Sequence, residues 1–270
     1  TEPRKPSLRR QKKRAARVEE LTANALEIAL ADGIDQLTVA RLAKRMDSAV
    51  GALYRYFPSK AALITAMQQR AITLLHADLV RLFDRADQRW TGSERNGARN
   101  ETRNDARNDG EKADKPDPAM LLAGALFVAP AYLIAATNTP RRHRMIDAWV
   151  SNPTALLDDE QATSVNATLA LILGLATGRM RTAVAAGVLA EGDNDARAHT
   201  LWALVHGLDH FRKRDRLLPA SLQVPTLLRD GLGTLALGWG AHDDVVAAAL
   251  DAIGQVTDDH AVWPCGPELR

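Results

Sequence analysis

The sequence predicts an all-α protein in which a three-helix unit of the helix-turn-helix type precedes a larger helical body. Three observations support this fold class. Apolar residues recur at three- and four-residue spacing along most of the 270 residues. Aromatic residues make up only 4% of the chain, so the core consists mainly of Leu, Ala, Val and Ile, which favours helices over sheets. Finally, two short helical patterns separated by a tight turn lie at 38–56.

Composition excludes several other classes of protein. With 46% hydrophobic and 25% charged residues, the chain has the balance of a globular protein with a sizeable core. Its single cysteine, Cys265, can form no intramolecular disulfide and suits a reducing cytoplasm. Pro130 interrupts the longest apolar run, 120–136, and the basic N-terminus lacks an apolar signal core. We therefore expect a cytoplasmic protein without a membrane partner.

A basic block stands at the start of the chain. Eight Lys and Arg residues lie within 4–17, and the only acid before them is Glu2. Such blocks are usually solvated tails, but ahead of a helix-turn-helix they neutralise DNA phosphates or enter the minor groove. We predict a disordered basic arm over 1–13, with DNA contacts from Arg9, Arg10, Lys12 and Lys13.

The first helix is predicted over 14–31 and begins the helix-turn-helix domain, 14–58. Gly33 follows it as a residue suited to a left-handed backbone. Its apolar residues fall on one face. They are Ala16, Val18, Leu21, Ala25, Ile28 and Ala29.

The stretch 37–63, LTVARLAKRMDSAVGALYRYFPSKAAL, carries the strongest local signals. Thr38 is a good N-cap for the second helix. Asp47 and Ser48 end that helix, because short polar side chains compete for backbone hydrogen bonds. A third helix is predicted over 49–56.

Pro58 ends the third helix, and Ser59 caps a fourth that continues to Trp90. Two short helices joined by a tight turn form a helix-turn-helix, whose second helix lies in the DNA major groove.

These residues resemble a known family. LYRYFPSKAAL, preceded by LTVARLAKRM, is similar to the DNA-binding domain of the TetR family of bacterial transcriptional regulators. The resemblance covers about 14–75. It implies a homodimer that binds a palindromic operator, and a helical body, here 59–256, that dimerises and holds a small-molecule effector. In the family, the long fourth helix moves when the effector binds.

The resemblance also implies which residues contact DNA. Thr38, Tyr54 and Lys60 match phosphate-contacting positions, and a lysine at a helix N-terminus is well placed to bind an anion. The start of the third helix faces base edges in the family. That segment here is Val50, Gly51 and Ala52. The remaining candidates are Ser48, Arg55 and Tyr56. The chain departs from the common pattern at Asp47, Ser48 and Ala49, where Gly, Val and Ser or Thr are usual.

Base readout is predicted to be weak. Val50, Gly51 and Ala52 carry no side-chain hydrogen-bonding group, so they can read bases only through apolar contact such as that with thymine methyls. We expect affinity to depend on phosphates and DNA shape more than on base edges.

A low-complexity insert is predicted over 91–118. Arg-Asn pairs recur every four residues from Arg95 to Asn108, with acids and small residues between them. Such a segment cannot bury a core, so we expect it to be mobile.

The rest of the body is predicted to be helical. One apolar helix spans 120–136 and is kinked or ends near Pro130. A helix at 158–189 has apolar residues nearly all round, which indicates burial. The other predicted helices are 141–150, 196–217, 224–240 and 243–256, with a loose tail from 257.

The effector site is predicted from the resemblance, since family members bind small molecules in a largely apolar pocket among the middle helices. Most such residues are simply core, and this alternative holds for each candidate. An apolar or amphipathic effector follows from their chemistry. The candidates are Leu121, Leu122, Phe127, Tyr132, Trp149, Leu173, Met180, Trp202 and His206.

The helices at 196–217 and 224–240 occupy the place where the family builds a four-helix dimer interface. Glycines there allow close helix approach, although a Gly-rich helix packed inside its own subunit is the alternative. The candidate interface residues are Trp202, Gly231, Gly233, Leu235, Gly238 and Trp239.

Other functions are less well supported. A metal-dependent enzyme is one alternative, because His206 and His210 have the spacing of a metal-binding pair, but the sequence indicates no third ligand. No catalytic motif is present, so we expect neither an enzyme nor a cofactor. A DNA-organising protein without a ligand is the second alternative. We interpret the chain as a transcriptional regulator, with repression more typical of the family than activation.

Overall fold

The computed structural model describes residues 8–91, 116–151 and 159–258, with the backbone alone at 148–151, 159, 161 and 162. The start of the predicted basic arm, most of the insert, Cys265 and most of the predicted tail lie outside these residues.

The described residues are helical, and no strand occurs among them, which confirms the all-α prediction. Short 3-10 turns lie at Ile34–Gln36, Arg212–Leu217 and Ala220–Leu222. In chain order the α-helices are α1 (Leu8–Asp32), α2 (Val39–Arg45), α3 (Val50–Leu53), α4 (Lys60–Trp90), α5 (Pro118–Leu126), α6 (Val128–Asn138), α7 (Pro140–Ser151), α8 (Asp159–Ala185), α9 (Asn194–Phe211), α10 (Val224–Gly238) and α11 (Asp243–Thr257).

The chain divides into two compact units. Of the described residues, the first unit contains 8–75, 139–151 and 159–169, and the second contains the rest. The first unit has its own apolar core, built from α1 to α4. Its fully buried members include Leu21, Ala25, Leu37, Leu42, Leu63 and Met67.

The first helix is longer than predicted. It begins at Leu8, so Arg9, Arg10, Lys12 and Lys13 lie on helix α1 and not on a disordered arm. No Gly or Pro lies between Leu8 and Asp32, and Arg, Lys, Gln and Ala all have high helix propensity, so nothing local stops the helix at Arg14.

The predicted helix 120–136 is two helices. Asp117 caps α5 by accepting a hydrogen bond from the Ala119 amide at 2.8 Å. The chain then bends by 45° between α5 and α6, ahead of the predicted position at Pro130. Pro130 lacks an N–H and its ring crowds the carbonyl four residues earlier, that of Leu126, so the break falls there while Pro130 lies in the first turn of α6.

Helix α8 is less buried than its sequence suggested. Ile172, Ala176 and Met180 are buried, but Leu171 is 50% exposed and Leu173 is half-buried. An apolar residue on a helix is buried only where a neighbouring element packs, and the sequence alone does not show where that happens.

Long-range contacts hold the second unit together. Arg179 of α8 makes a bidentate ion pair with Asp87 of α4, at 2.9 and 2.6 Å, and its guanidinium lies 4.3 Å from the centre of the Phe83 ring. Trp90 donates from its indole nitrogen to the Ala252 carbonyl of α11 at 3.2 Å. These contacts fix α8 and α11 against the second half of α4.

Among the described residues, no single helix has both the length and the apolar content of a membrane span, and only α5 and α6 together meet that test, across their bend.

Candidate DNA-binding surface and body cavity

The helix-turn-helix has the predicted caps. Thr38 accepts a hydrogen bond from the Arg41 amide at 3.1 Å and so caps α2. Asp47 adopts a φ of 45°, the left-handed conformation for which glycine is more common, and so reverses the chain between α2 and α3. Ser59 accepts from the Ala62 amide at 3.0 Å and caps α4. The local signals in this stretch therefore act as predicted.

A long-range contact fixes the turn and was not predicted from the sequence. Arg17 of α1 donates to the Ser48 hydroxyl at 2.8 Å and also pairs with Glu20 at 2.7 Å. The Ser48 hydroxyl in turn donates to the Met46 carbonyl at 3.0 Å. Arg17 thus holds the turn to α1, and no signal in the sequence links two residues that are 31 positions apart.

Two further arginines hold α2 against α1. Arg41 pairs with Asp32 at 2.6 Å, and Arg45 pairs with Glu27 and donates to the Asn24 side chain at 2.9 Å. These cations are neutralised within the protein, so they position α2 and contribute little to the field that DNA phosphates meet.

Helix α3 is shorter than the predicted 49–56, since only Val50–Leu53 is α-helical and turns follow. Val50 and the aromatic residues that follow have modest helix propensity, Gly51 has low propensity, and Ala49 makes no side-chain cap. Leu53 and Phe57 are buried as predicted and anchor the element in the core. The helix still occupies the position of a recognition helix.

Apart from Ser48, whose hydroxyl is bonded to Arg17 and to the Met46 carbonyl, the predicted DNA-contacting residues of this stretch form what we call the recognition surface. Its members are Thr38, Val50, Gly51, Ala52, Tyr54, Arg55, Tyr56 and Lys60. Val50 is 42% and Tyr54 49% exposed. Gly51, Arg55 and Lys60 are also exposed, while Ala52 and Tyr56 are half-buried.

Packing does not require a glycine at position 51. A β-carbon built on Gly51 has no atom within 4 Å outside its neighbours, and the residue has no positive φ. A side chain there would extend into solvent, so the fold itself accepts a larger residue at the centre of the recognition surface.

Exposed cations lie on α1, the helix that contacts the end of this surface. Arg9, Arg10, Lys12 and Lys13 are exposed on α1, and none of them forms an ion pair with another described residue. Arg14 donates to the Arg55 carbonyl at 3.4 Å, which brings the basic part of α1 to the end of α3. The predicted cationic contacts therefore lie next to the recognition helix, although on a helix and not on an arm.

Rings of the predicted effector residues take part in two clusters of contacts. Phe127 lies with Phe83 and Trp90 in edge-to-face ring contacts, each at 5.4 Å between centroids. Tyr132 instead forms a hydrogen bond with His206, in which the Tyr132 hydroxyl oxygen lies 3.1 Å from Nδ1 of the imidazole.

The ring of Trp202 lies 5.5 Å from that of His206. Leu122 and Met180 are fully buried, Leu121 and Leu173 are half-buried, and the side chain of Trp149 lies outside the described residues.

His206 and His210 are neighbours on α9, with ring centroids 5.7 Å apart. Nδ1 of His210 lies 2.8 Å from the His206 carbonyl, a contact within the helix. Among the described residues, no three His, Cys, Asp or Glu side chains come together in a way that could hold a metal ion.

A groove of about 620 Å³ lies elsewhere in the second unit, between α6, α10 and α11. Its floor is apolar and includes Ile134, Val224, Leu228, Leu232 and Ile253. None of the predicted effector residues lines it. Sequence reasoning missed this groove because its walls come from segments that are far apart in the chain.

The glycines of α10 pack inside the subunit. A β-carbon at Gly231 would lie 3.0 Å from the Leu204 side chain of α9, and one at Gly233 would lie 3.3 Å from Leu250 of α11. At Gly238 it would meet nothing within 4 Å. Trp202, Leu235 and Trp239 are half-buried in this subunit. The close helix approach expected from these glycines therefore occurs within one chain at Gly231 and Gly233.

Comparison with known proteins agrees with the sequence resemblance. Residues 21–67 match the family described as bacterial regulatory proteins, TetR family. No curated protein matches the sequence.

Among solved structures, RolR in complex with resorcinol shares 14% identity, with 91% of this chain and 96% of RolR covered and a TM-score of 0.54. The reduced form of E. coli NemR shares 17% identity over 81% of this chain and 94% of NemR, with a TM-score of 0.45.

The family match spans the capped turn, α3 and the start of α4, which are the elements that form the recognition surface. The similarity to RolR extends the shared all-α fold over most of the chain. Residues 21–67 therefore carry a DNA-binding domain similar to that of TetR-family bacterial regulators, ahead of an all-α body whose fold resembles that of RolR.

Proposed function

We propose that this protein is a repressor that binds a palindromic operator as a homodimer and is released by a small, largely apolar effector. The recognition surface carries the proposal. It presents small and apolar groups on α3, between a capping hydroxyl at Thr38 and the exposed Tyr54 and Lys60. That arrangement lets α3 approach base edges closely while flanking groups bind phosphates. Such a regulator acts on DNA in the cytoplasm.

The surface favours phosphate and shape recognition. Val50, Gly51 and Ala52 offer no hydrogen bond to a base, whereas exposed cations lie on both sides, from α1 and from Lys60. Each phosphate that a cation neutralises releases counterions, so the binding constant should fall steeply as salt rises. We therefore expect strong salt dependence together with modest discrimination between base pairs.

The test is a salt series of binding to DNA immediately upstream of the coding region, with competitor DNA present. Wild-type protein should bind this DNA more tightly than unrelated DNA. Replacement of Tyr54 and Lys60 together by Ala should lower affinity by about 100-fold, since charge-assisted hydrogen bonds contribute roughly 1.5–3 kcal/mol each.

Arg181→Ala is the matched control, because Arg181 is an exposed cation of α8 in the second unit. It should bind DNA as the wild type does. Equal binding to all sequences, or a double variant that binds normally, would contradict the proposal.

The homodimer is proposed to form through exposed small residues of α9 and α10. Thr200, Ala203 and Gly207 lie on one face of α9 at three- and four-residue spacing and are exposed in the single subunit. Thr234 and Gly238 are exposed in the same way on α10. Small residues let helices of two subunits approach closely, as a four-helix interface requires.

Ala203→Arg tests this interface. A bulky cation on the exposed face of α9 should convert the dimer to a monomer without unfolding it. Ala247→Arg, on an exposed position of α11, is the control and should leave the dimer intact. Light scattering after size-exclusion chromatography measures the mass, and a dimeric Ala203→Arg variant would place the interface elsewhere.

A further inference from the structure

The groove between α6, α10 and α11 has an apolar floor and a polar rim. Leu228 and Leu232 of α10 face Ile134 of α6 and Ile253 of α11 across it. All four side chains are buried, with exposed fractions below a tenth. A groove of this kind removes an apolar molecule from water at little cost to the protein, because no polar group of the floor loses solvent.

Several polar groups of the lining already have partners. Arg212 donates to Asp209 at 3.1 Å and to the Thr137 hydroxyl at 2.7 Å. Asp215 accepts a hydrogen bond from the Val224 amide at 3.2 Å and so caps the start of α10. A ligand here would have to break existing contacts to gain a charged hydrogen bond.

The second arginine of the lining is paired in the same way. Arg229 pairs with Asp251 at 2.7 Å and donates to the Leu250 carbonyl at 3.0 Å. The two arginines of the lining, Arg212 and Arg229, are thus both paired with aspartates, and the lining also contains Asp215 and Asp258. With its arginines already paired, the lining offers no free cation to an anionic ligand, which favours an uncharged occupant over an anion.

The size of the groove favours a small molecule over a protein. Its volume of about 620 Å³ lies within the range of roughly 300–1,000 Å³ typical of small-molecule sites. A stable protein interface instead buries about 800 Å² on each partner. Because the charged groups of the lining already have partners, the apolar floor is the part of the groove that would recognise the occupant.

We propose that this groove, and not the cluster around Tyr132 and His206, is the effector site, and that the effector is an uncharged, largely apolar small molecule. This inference rests on the proposed function, because it assigns the site through which DNA binding is released. A molecule held here contacts α6, α10 and α11 together, so it can stabilise one arrangement of the second unit over another.

The test uses Nile red, an uncharged apolar dye, with the full-length protein. Two variants fill the groove from opposite walls: Gly254→Leu on α11 and Leu133→Trp on α6. A β-carbon at Gly254 fits, since its nearest neighbour is the Arg229 side chain at 4.0 Å. Wild type should bind the dye with increased fluorescence, and both variants should bind it at least tenfold more weakly.

Ala248→Leu is the matched control, because it adds the same side chain to an exposed position of α11. It should bind Nile red as the wild type does. Absence of dye binding by wild type, or unchanged binding by both filled variants, would overturn the proposal that the groove is the binding site.

The charge of the ligand is tested with a matched pair of competitors. At neutral pH, 2-naphthol is uncharged and 2-naphthoate is an anion of similar size. We expect 2-naphthol to displace Nile red at least tenfold more effectively. Equal or better displacement by 2-naphthoate would overturn the proposal that the effector is uncharged.

Operator binding separates this proposal from the proposed function. Without ligand, both filled variants should bind the upstream DNA as the wild type does. With 2-naphthol, only the wild type and Ala248→Leu should release it. Failure of every protein, wild type included, to bind that DNA would refute the proposed function. The dye measurements would still show whether the groove binds an apolar small molecule. Dye binding in the groove without any effect on DNA would overturn its role as the effector site.

Discussion

The recognition surface comes from one continuous stretch, residues 38–60, whereas the groove brings together 130–137, 212–232 and 250–258. Caps and turns within a few residues of each other shape the first. Packing between helices far apart in sequence shapes the second. The difference leads us to expect that the two regions respond differently to substitution. Exposed substitutions on the recognition surface should alter DNA binding without unfolding the protein, whereas changes in the groove should act through packing. The predictions below test this contrast, starting with the largest expected effect.

Removing core volume from the first unit should damage only one of the two sites. Leu42 is fully buried in α2, so Leu42→Ala should destabilise this unit by about 3 kcal/mol. We expect thermal unfolding at lower temperature, together with loss of operator binding and retention of Nile red binding in the groove. Leu42→Met, which conserves volume, should cost less than about 1.5 kcal/mol. If Leu42→Ala also lost Nile red binding, the expectation that the two regions respond separately would be wrong.

Gly51→Ala should separate stability from affinity. The added methyl group meets open space and raises helix propensity, so the variant should be more stable by up to about 1 kcal/mol. The same methyl group stands between α3 and the bases, so operator affinity should fall about tenfold, or ~1.4 kcal/mol.

Gly178→Ala is the control for this substitution. Gly178 lies in α8 and also has no atom within 4 Å of an added β-carbon. It should give a similar gain in stability, measured by thermal denaturation, without loss of affinity. If Gly51→Ala binds the operator as well as wild type does, the proposal that α3 approaches the bases closely is refuted.

The contact between Arg17 and Ser48 should couple α1 to the turn. We expect a double-mutant cycle with Arg17→Ala and Ser48→Ala to give a coupling free energy of about 0.5–1 kcal/mol, because the Arg17 side chain is 31% exposed and solvent weakens the bond. Urea unfolding measures it. Arg14→Ala with Ser48→Ala is the control pair, and it should show no coupling. Additive effects of Arg17→Ala and Ser48→Ala would mean that the turn is held by its own backbone alone.

Asp47→Gly should have the smallest effect. The left-handed backbone at φ 45° costs less for glycine than for aspartate, but glycine gains more entropy in the unfolded chain. The net gain should be about 0.5 kcal/mol in the free energy of unfolding. Asp47→Asn should be neutral, since Asn tolerates this conformation equally well, and both variants should bind the operator normally. Destabilisation by Asp47→Gly would show that the carboxylate itself is needed.

The sequence by itself determined the helix-turn-helix and the all-α class. Thr38, Asp47 and Ser59 act through hydrogen bonds and backbone preferences that reach only a few residues, so their effects can be predicted without knowing the rest of the fold. The same kind of local signal gave the ends of most body helices to within a few residues.

Only the tertiary structure decided the sites of the body. Gly231 and Gly233 pack against neighbouring helices of the same subunit, and Phe127 and Tyr132 lie in different ring clusters despite their proximity in sequence. In a helical body almost every apolar residue is compatible with either a core or a pocket. Which one it becomes depends on which distant helix packs against it, and this is why the groove lined by Leu228 and Ile253 emerged only from the structure.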